Sequence, residues 1–500
     1  MLKIVDRLVN GVTMYRLILW FLLALVGVSI VFSFFGLVPF SPLSLIGTFL
    51  MLTNAAYFSN ALFGKLLKAP INAESSAVTA LILFFVLLPG ANAQNFLFLA
   101  LIAVFAMASK YIFAFRKKHI FNPAAIGALF GTIVLQYPAM WWVATLSLLP
   151  FVIVFGFLLA YKVRRLAMYF TFIIVALATT AVFYGFSTPI GDLFISWPIF
   201  FLGGFMLTEP MTSPPKRVQQ IIYAVMVGLL FGIHFRIGSF SNAPEVALLL
   251  GNIFAFAVSS KTRLMLKLKE RKEVAAGIFH LTFTLPHAFS FEPGQYLEWT
   301  LQHKKSDSRG WRRFFTIASS PTENELAVGI KITEKRSTFK NALINLPEGA
   351  VISAGQLAGD FTLPLDQKKK LVFIAGGIGV TPFRSMIKYL MDKNDARAVT
   401  LFYSCMTPAD FAYEDLFKEA EDQIGLKNIR LISDKTKPYP DFTGYNGFLT
   451  PEIIKREVPD YAERMFYLSG PNVMVTSYKK LLKELGVKGT HIKTDYFPGY

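Results

Sequence analysis

Through the first 260 residues the chain alternates long apolar runs with short polar breaks. The runs lie near 15–37, 42–63, 76–90, 95–115 and 121–137, then near 139–160, 166–186, 193–208, 218–235 and 244–260. A bilayer-crossing helix needs about 17–25 apolar residues, so the pattern predicts about ten helices, the shorter ones tilted, paired or broken. From Glu273 the period falls to two, as in "GIFHLTFTLPHAFSFEPGQYLEWTL". Short β-branched and aromatic runs cut by Gly, Pro and Asp predict antiparallel strands of a small barrel. After Lys370 the pattern becomes strand, turn, helix, three times over ("KKLVFIAGGIGVTPFRSMIKYL" is the first), which predicts a parallel sheet flanked by helices. The expected divisions are a multi-pass α-helical membrane domain at 1–260, a basic linker at 261–272, an antiparallel β-barrel at 273–366 and an α/β domain at 367–500.

Composition agrees with a membrane half joined to a soluble half. The chain is 54% hydrophobic and 16% charged, with mean hydropathy +0.48, too apolar for a wholly water-exposed protein. Residues 1–260 hold 15 Lys+Arg and 5 Asp+Glu, leaving 35 and 27 for the rest. Lys65 and Lys68, Arg116 to Lys118, Lys162 to Arg165, Lys216 with Arg217, and the run after Lys261 fall in alternate connections or at the exit. The connections between them (Pro39 to Ser41, Pro89 to Asn95, Tyr137 to Pro138, Ser187 to Asp192) lack Lys and Arg, and Arg236 alone breaks the pattern. By the positive-inside bias both termini are expected in the cytoplasm, with the protein in the plasma membrane. Lys3, Arg7 and Arg16 precede an apolar run with no small-residue cleavage signature behind it, which reads as a retained helix rather than a signal peptide. Because the basic residues fall between apolar runs and not on one polar face, the net charge of +18 does not indicate nucleic-acid binding. A lone cysteine, Cys405, excludes a disulfide framework, a four-cysteine zinc site and a cysteine-ligated iron-sulfur cluster within this chain; no metal site is expected.

The soluble half carries the candidate chemistry. Arg313-Phe314-Phe315-Thr316, followed by Ile317 to Pro321, offers a guanidinium fork, an aromatic face and a hydroxyl along one strand. These suit a pyrophosphate, a flat ring and a ring edge, although the tetrapeptide alone also fits an ordinary amphipathic strand. Gly294-Gln295-Tyr296 lies upstream in a strand-ending turn, and Ser337-Thr338 opens "TFKNALINL" with hydroxyls and amides that suit an anion. "AGGIGVTP" follows the apolar strand "LVFIA" and opens a helix containing Met386 and Tyr389. Gly376, Gly377 and Gly379 would let a nucleotide approach the backbone with its phosphates at the helix start; a bare Gly-rich turn is equally a tight strand-to-helix connection.

In this order and spacing, residues 270–500 resemble the ferredoxin-NADP reductase superfamily. The resemblance implies an FAD-binding β-barrel and an α/β nucleotide-binding domain. Arg313, Phe315 and Thr316 would hold FAD, Ser337 and Thr338 its phosphates, and Gly376 to Pro382, with Thr381, the nicotinamide nucleotide. Ser469-Gly470-Pro471 matches the family's Cys-Gly-Pro turn with Ser for Cys, which implies differently tuned hydride transfer. A C-terminal aromatic, Tyr500 or Phe497, would cover the flavin. Thr316, Ser469 and Tyr500 are then the residues placed at the reacting rings. The lack of Arg after Tyr403-Ser404 tilts the reading toward NADH over NADPH.

The membrane half holds only His119 and His234, on opposite predicted sides, so two bis-histidine haems cannot be built. It resembles the NqrB/RnfD family of flavin-bearing subunits in "ESSAVTALIL" (Glu74 to Leu83), "KHIFNPAAIG" (Lys118 to Gly127), "FMLTEPMTSP" (Phe205 to Pro214) and "VALLLGNIFAF". Each string also fits helix capping. The family esterifies FMN to Thr in Asp-x-Ser-Gly-Ala-Thr, a string absent here; Thr188-Pro189-Ile190 resembles only its end, which leaves Thr188 as the candidate acceptor. A non-covalent flavin or a quinone in this half stays open. Glu209, with Thr208 and Thr212, reads as a cation or flavin contact or as a solvated loop carboxylate, and Glu74 likewise.

The resemblances together imply a membrane-bound NAD(P)H oxidoreductase that passes electrons through FAD to a flavin, a quinone or an outer-side acceptor, with or without cation movement. The other readings are a redox-sensing, transporter-like protein, or the electron-input subunit of a larger Rnf/Nqr-like complex with further subunits as partners.

Overall fold

A computed structural model describes residues 12–67, 73–115, 118–184, 198–233, 236–237, 240–241, 243–259, 263–304, 306–307, 310–332, 337–434 and 439–495. Thr188, Phe497 and Tyr500 lie outside the described residues, as does His234. The chain divides into two compact units, Met1–Thr262 and Arg263–Tyr500.

In the first unit, each apolar run holds helix, of unequal length. Among the described residues four helices are long and apolar enough to cross a membrane by length and composition: α1 (Met14–Phe34), α2 (Pro42–Leu66), α4 (Ala93–Ile112) and α7 (Leu166–Tyr184). Shorter are α3 (Ala73–Val86), α5 (Pro123–Val134), α6 (Leu149–Lys162), α8 (Arg217–Gly232) and α9 (Pro244–Val258). The run at 193–208 gives a single turn, Ile199–Phe201, continued as a π-helix, Leu202–Leu207.

Side-chain caps set several of the starts. Thr13 accepts from Arg16 N at 3.3 Å, Asn92 from Asn95 N at 2.9 Å, and Asn122 from Ala124 N and Ala125 N at 3.1 Å each, with Pro123 at the first helical position where its missing N–H costs nothing. The run at 139–160 is helical only from Leu149. Before it, Met140 N and Trp141 N both donate to Val86 O, at 2.8 and 2.9 Å. Trp142 Nε1 donates to Phe84 O at 2.8 Å, and Trp141 Nε1 to Glu245 at 2.9 Å. These long-range bonds give the polar groups of an irregular segment partners inside the unit.

The second unit contains two six-stranded sheets. The first is antiparallel and comprises β1 (Leu264–Ala275), β2 (Ile278–Thr284), β3 (Tyr296–Thr300), β4 (Arg312–Thr316), β5 (Glu325–Lys331) and β6 (Val351–Ala358), in the order β4-β3-β6-β1-β2-β5. Ala318 N donates to Ala327 O at 2.8 Å, drawing the chain after β4 onto β5 and curling the sheet toward closure. Residues 261–272, expected as a linker, instead supply most of β1. Leu264, Leu266 and Leu268 are buried in the barrel core while Met265, Lys267 and Lys269 face outward, a period-two pattern that the basic charge obscured. The segment Gly294 to Tyr296 opens β3 and does not end a strand.

The second sheet is parallel: β7 (Leu371–Gly376), β8 (Val399–Cys405), β9 (Lys427–Ile432), β10 (Tyr445–Asn446), β11 (Met465–Ser469) and β12 (Ile492–Asp495), in the order β10-β9-β8-β7-β11-β12. Leu371, Phe373 and Ala375 feed one apolar cluster and Val372 and Ile374 the other. A strand buried on both faces reads as an unbroken apolar run, which is why "LVFIA" lacks alternation.

Candidate functional site

Because β7 lies between β8 and β11, the strand order reverses direction there, and the crevice beyond the strand ends at such a point is where open α/β sheets bind ligands. Two turns meet in it. Gly376 to Val380 leaves β7 and enters α11 (Thr381–Asp392), with Pro382 in the first turn. Ser469-Gly470-Pro471 leaves β11 and enters α14 (Asn472–Glu484), the helices between them being α12 (Glu414–Ile424) and α13 (Pro451–Glu457). A Cβ on Gly379 would stand 2.5 Å from Ser469 O and 2.6 Å from Gly470 Cα; one on Gly376 would stand 3.1 Å from Pro471 Cδ. At Gly379 the turns therefore pack backbone against backbone, and only glycine permits it. Thr381 closes the first turn by donating to Ile378 O at 3.2 Å.

Arg313, Phe315, Ser337 and Thr338 come together at the barrel, where Ser337 precedes α10 (Thr338–Ile344). The Arg313 guanidinium lies over the Phe339 ring, 5.2 Å from its centroid, and Phe315 packs on the same ring at 5.9 Å. Asp307 accepts from Arg313 at 2.8 Å and from Thr338 N at 3.3 Å; His303 Nε2 lies 3.0 Å from the Thr338 hydroxyl. The Asp307 carboxylate thus bridges a guanidinium and a backbone amide, donors of the kind that suit an anion with two acceptor oxygens. The Ser337 hydroxyl beside it is buried with no hydrogen-bond partner among the described residues. An orphaned buried hydroxyl costs free energy, and a bound phosphate oxygen would relieve it. The donor set thus fits the pyrophosphate of a dinucleotide, as the backbone seam at Gly376, Gly379 and Gly470 fits the close approach of a second one.

Thr316 lies on the other face of β4, opposite Tyr296 of β3. It donates to Asp495 at 3.3 Å, and Asp495 pairs in register with Ser469 on the neighbouring strand. All three are under 10% exposed. The arrangement gathers Thr316, Ser469 and Asp495 where barrel and parallel sheet meet. Asp495 and Asp307 were missed in the sequence because neither belongs to a local motif.

Two other groups prove structural. Burial pushes the His280 imidazole down to about 4, helped by the nearby Arg384 charge, so it is neutral at pH 7 and spans from β2 to the Tyr413 hydroxyl at 3.1 Å. Burial pushes the Cys405 thiol up to about 12, which leaves it unreactive.

In the first unit the resemblance strings converge on one polar node. Glu209, half-buried in the loop after the π-helix, accepts from Asn122 at 2.9 Å and from Thr212 at 3.0 Å. Asn252 accepts from Asn122 N at 2.9 Å and donates to Thr212 O at 3.0 Å. Arg165, 8% exposed, reaches the Ser213 hydroxyl and Thr208 O. Beside the node a small cavity of about 30 Å³, partly open to solvent, is lined by Tyr15, Ser75, Thr79, His119, Asn122 and Glu209 together with apolar side chains. Glu74 is taken up in an ion pair with Arg16 at 3.4 Å.

Residues 373–480 match the family described as the oxidoreductase NAD-binding domain. The glycine betaine monooxygenase reductase subunit of Chromohalobacter salexigens is 27% identical over 217 residues, 42% of this chain and 57% of that protein. A flavohemoprotein of Bacillus cereus is 26% identical over 217 residues, 42% of this chain and 53% of that one. The chain spans about half the length of the curated relatives it matches. Among solved structures, the Amycolatopsis cytochrome P450 reductase GcoB aligns with a TM-score of 0.43 at 24% identity, covering 47% of this chain and 69% of that one. The second unit carries an oxidoreductase NAD-binding domain and is similar in sequence to these proteins.

Proposed function

We propose that the chain is a membrane-bound NAD(P)H oxidoreductase whose second unit takes electrons from the nucleotide into FAD and whose first unit carries them to an acceptor within the membrane. The observation that supports the membrane reading is the exposed surface of α1, α2, α4 and α7. Only 33–39% of each hydrophobic window is buried, and Trp20, Phe34, Phe58 and Ile174 are 51%, 70%, 65% and 65% exposed. Apolar surface on that scale needs a lipid or protein cover, and the ten-run pattern with its cytoplasmic basic loops supplies the lipid reading.

FAD, when bound, supplies a ring that accepts a hydride from the nicotinamide and releases electrons onward. The chain's own residues bind and orient. Arg313, Ser337 and Thr338 hold the pyrophosphate, Thr316 and Asp495 present polar atoms at the ring edge, and Ser469 offers a hydroxyl to the carboxamide. The Gly376–Gly379 turn keeps side chains out of the space that the nucleotide enters. Phe497 and Tyr500 remain the proposed cover.

In the first unit the surface beside the polar node of Asn122 and Glu209 is the proposed contact of the acceptor, a flavin such as FMN, or a quinone, with Thr188 the proposed attachment point were FMN covalent. Purified protein in lipid vesicles supplied with NADH is expected to reduce ferricyanide directly from FAD and a lipid-soluble quinone through the first unit. Asn122→Ala with Glu209→Gln should lower quinone reduction at least tenfold and leave ferricyanide reduction within twofold. Equal loss of both, or of neither, would contradict the assignment. Little steady turnover with either acceptor is the result that the redox-sensing reading requires.

A further inference from the structure

Residues 317–324 join β4 to β5 and start beside Thr316, while α11 starts at the glycine turn. One side chain fastens the two together. Arg384, in the first turn of α11, donates from both terminal nitrogens to the Glu323 carboxylate, Nη2 to Oε1 at 2.8 Å and Nη1 to Oε2, and Nη1 also reaches Ala318 O at 3.2 Å. The Ser320 amide donates to the same carboxylate at 2.5 Å, and the Ser385 hydroxyl, next along α11, to Ser319 O at 2.6 Å. A forked guanidinium–carboxylate pair fixes angle as well as distance. Its two side chains are 12% and 18% exposed, so salt screens it weakly.

What this clamp holds in register is the meeting of barrel and glycine turn. A Cβ on Gly329 of β5 would stand 2.5 Å from Thr381 Cγ2, 2.7 Å from the Tyr413 hydroxyl and 3.3 Å from Ile378 Cδ1. Barrel backbone therefore lies directly against the turn. Close packing of this kind sets a separation but has no preferred direction, so the alignment falls to the polar pairs at the two ends of β5. Lys331 pairs with Asp410 at 2.5 Å at one end, and Glu323 with Arg384 stands just before the other. The Arg384 guanidinium also lies 6.0 Å from the centre of the Tyr413 ring, whose hydroxyl meets His280 of β2.

We propose that Arg384, acting through Glu323, is a positioning residue for hydride transfer, an inference that rests on the FAD and nucleotide sites proposed above. The pair sets the turn that receives the nicotinamide against the flavin edge at Thr316. Neither side chain belongs to the groups assigned to a cofactor, so its contribution is to alignment and not to binding. The step that it serves moves one hydride from the nicotinamide ring to the flavin ring, oxidising the first and reducing the second with no further reactant. Misplacement by about 1 Å in such a step costs on the order of a hundredfold.

The test is anaerobic rapid mixing of the full chain, with FAD in excess, against a series of concentrations of NADH or NADPH, whichever reduces it faster. This separates the limiting rate of flavin reduction from the apparent Kd. Arg384→Ala should lower the limiting rate about thirtyfold, keep Kd within about threefold of wild type and weaken the long-wavelength absorbance of nicotinamide stacked on flavin. Arg384→Lys, which keeps the charge and loses the fork, should recover part of the rate. Glu323→Gln, which keeps an acceptor for the Ser320 amide, should slow reduction about tenfold, and combined with Arg384→Ala it should add less than about twofold, because the two side chains act as one unit. Should Arg384→Ala not fold, Glu323→Gln alone decides. A merely structural role would lower FAD content and thermal stability and leave the FAD-loaded protein reducing at the wild-type rate. That result overturns the proposal, as do losses that multiply in the double variant or a raised Kd at an unchanged limiting rate. FAD-loaded wild type that neither nucleotide reduces overturns the underlying nucleotide site instead.

Discussion

Replacing Gly379 with alanine is expected to leave FAD bound while slowing NADH-dependent flavin reduction by about a hundredfold. The added methyl would stand 2.5 Å from the Ser469 carbonyl oxygen and 2.6 Å from Gly470 Cα. Both neighbours are backbone, so no side chain can swing aside, and the turn from β7 must part from the turn from β11. Overpacking of this kind costs about 1–3 kcal/mol, and the flavin spectrum reports whether the unit stays folded. The displacement falls at the seam proposed to set the nicotinamide against the flavin, where an error of about 1 Å would cost on the order of a hundredfold. Rapid-mixing absorbance of the anaerobic protein measures the rate, and the flavin spectrum confirms occupancy. Reduction at the wild-type rate would show that the nucleotide does not use this seam.

Arg313→Ala should fail earlier, at cofactor binding. On the proposed assignment the variant removes a charge-assisted contact to the pyrophosphate, worth about 1.5–3 kcal/mol, so FAD occupancy at limiting flavin should fall roughly ten- to a hundredfold. The guanidinium also anchors its own loop through Gly310 O at 3.1 Å, Arg312 O at 2.7 Å and Asp307 at 2.8 Å. Arg313→Lys, which keeps the charge without the fork, should recover part of the affinity. Saturating FAD should restore most activity to either variant, because the reacting rings are held elsewhere. Full FAD retention by Arg313→Ala under limiting flavin would remove this residue from the site.

The parts of this architecture that are visible in the sequence are those encoded locally. Alternation exposes the barrel strands, the unbroken "LVFIA" exposes the doubly buried β7, and Asn122-Pro123 announces the start of α5 by capping chemistry. The glycine turn and Arg313 to Thr316 are contiguous strings, so their chemistry is readable before their geometry. What escapes is set by contacts between distant segments. Residues 139–148 are apolar enough for helix but remain irregular, because Trp141 and Trp142 spend their ring N–H groups on Glu245 and Phe84 O. Asp495 joins Thr316 across 179 positions, and Asn252 meets Asn122 across 130; no window of local pattern spans either. Residues 261–272 misled for another reason, since their charge drew attention from the leucines alternating beneath it.

The central claim, that the second unit takes reducing equivalents from a nicotinamide nucleotide into FAD, is tested most directly by anaerobic titration of the purified full chain with NADH. The flavin released on denaturation identifies the cofactor. The expected result is one releasable FAD per chain, its absorption bleached by about one equivalent of NADH, with no haem Soret band. Protein without FAD, or FAD that excess NADH and NADPH both leave oxidised, would contradict the account.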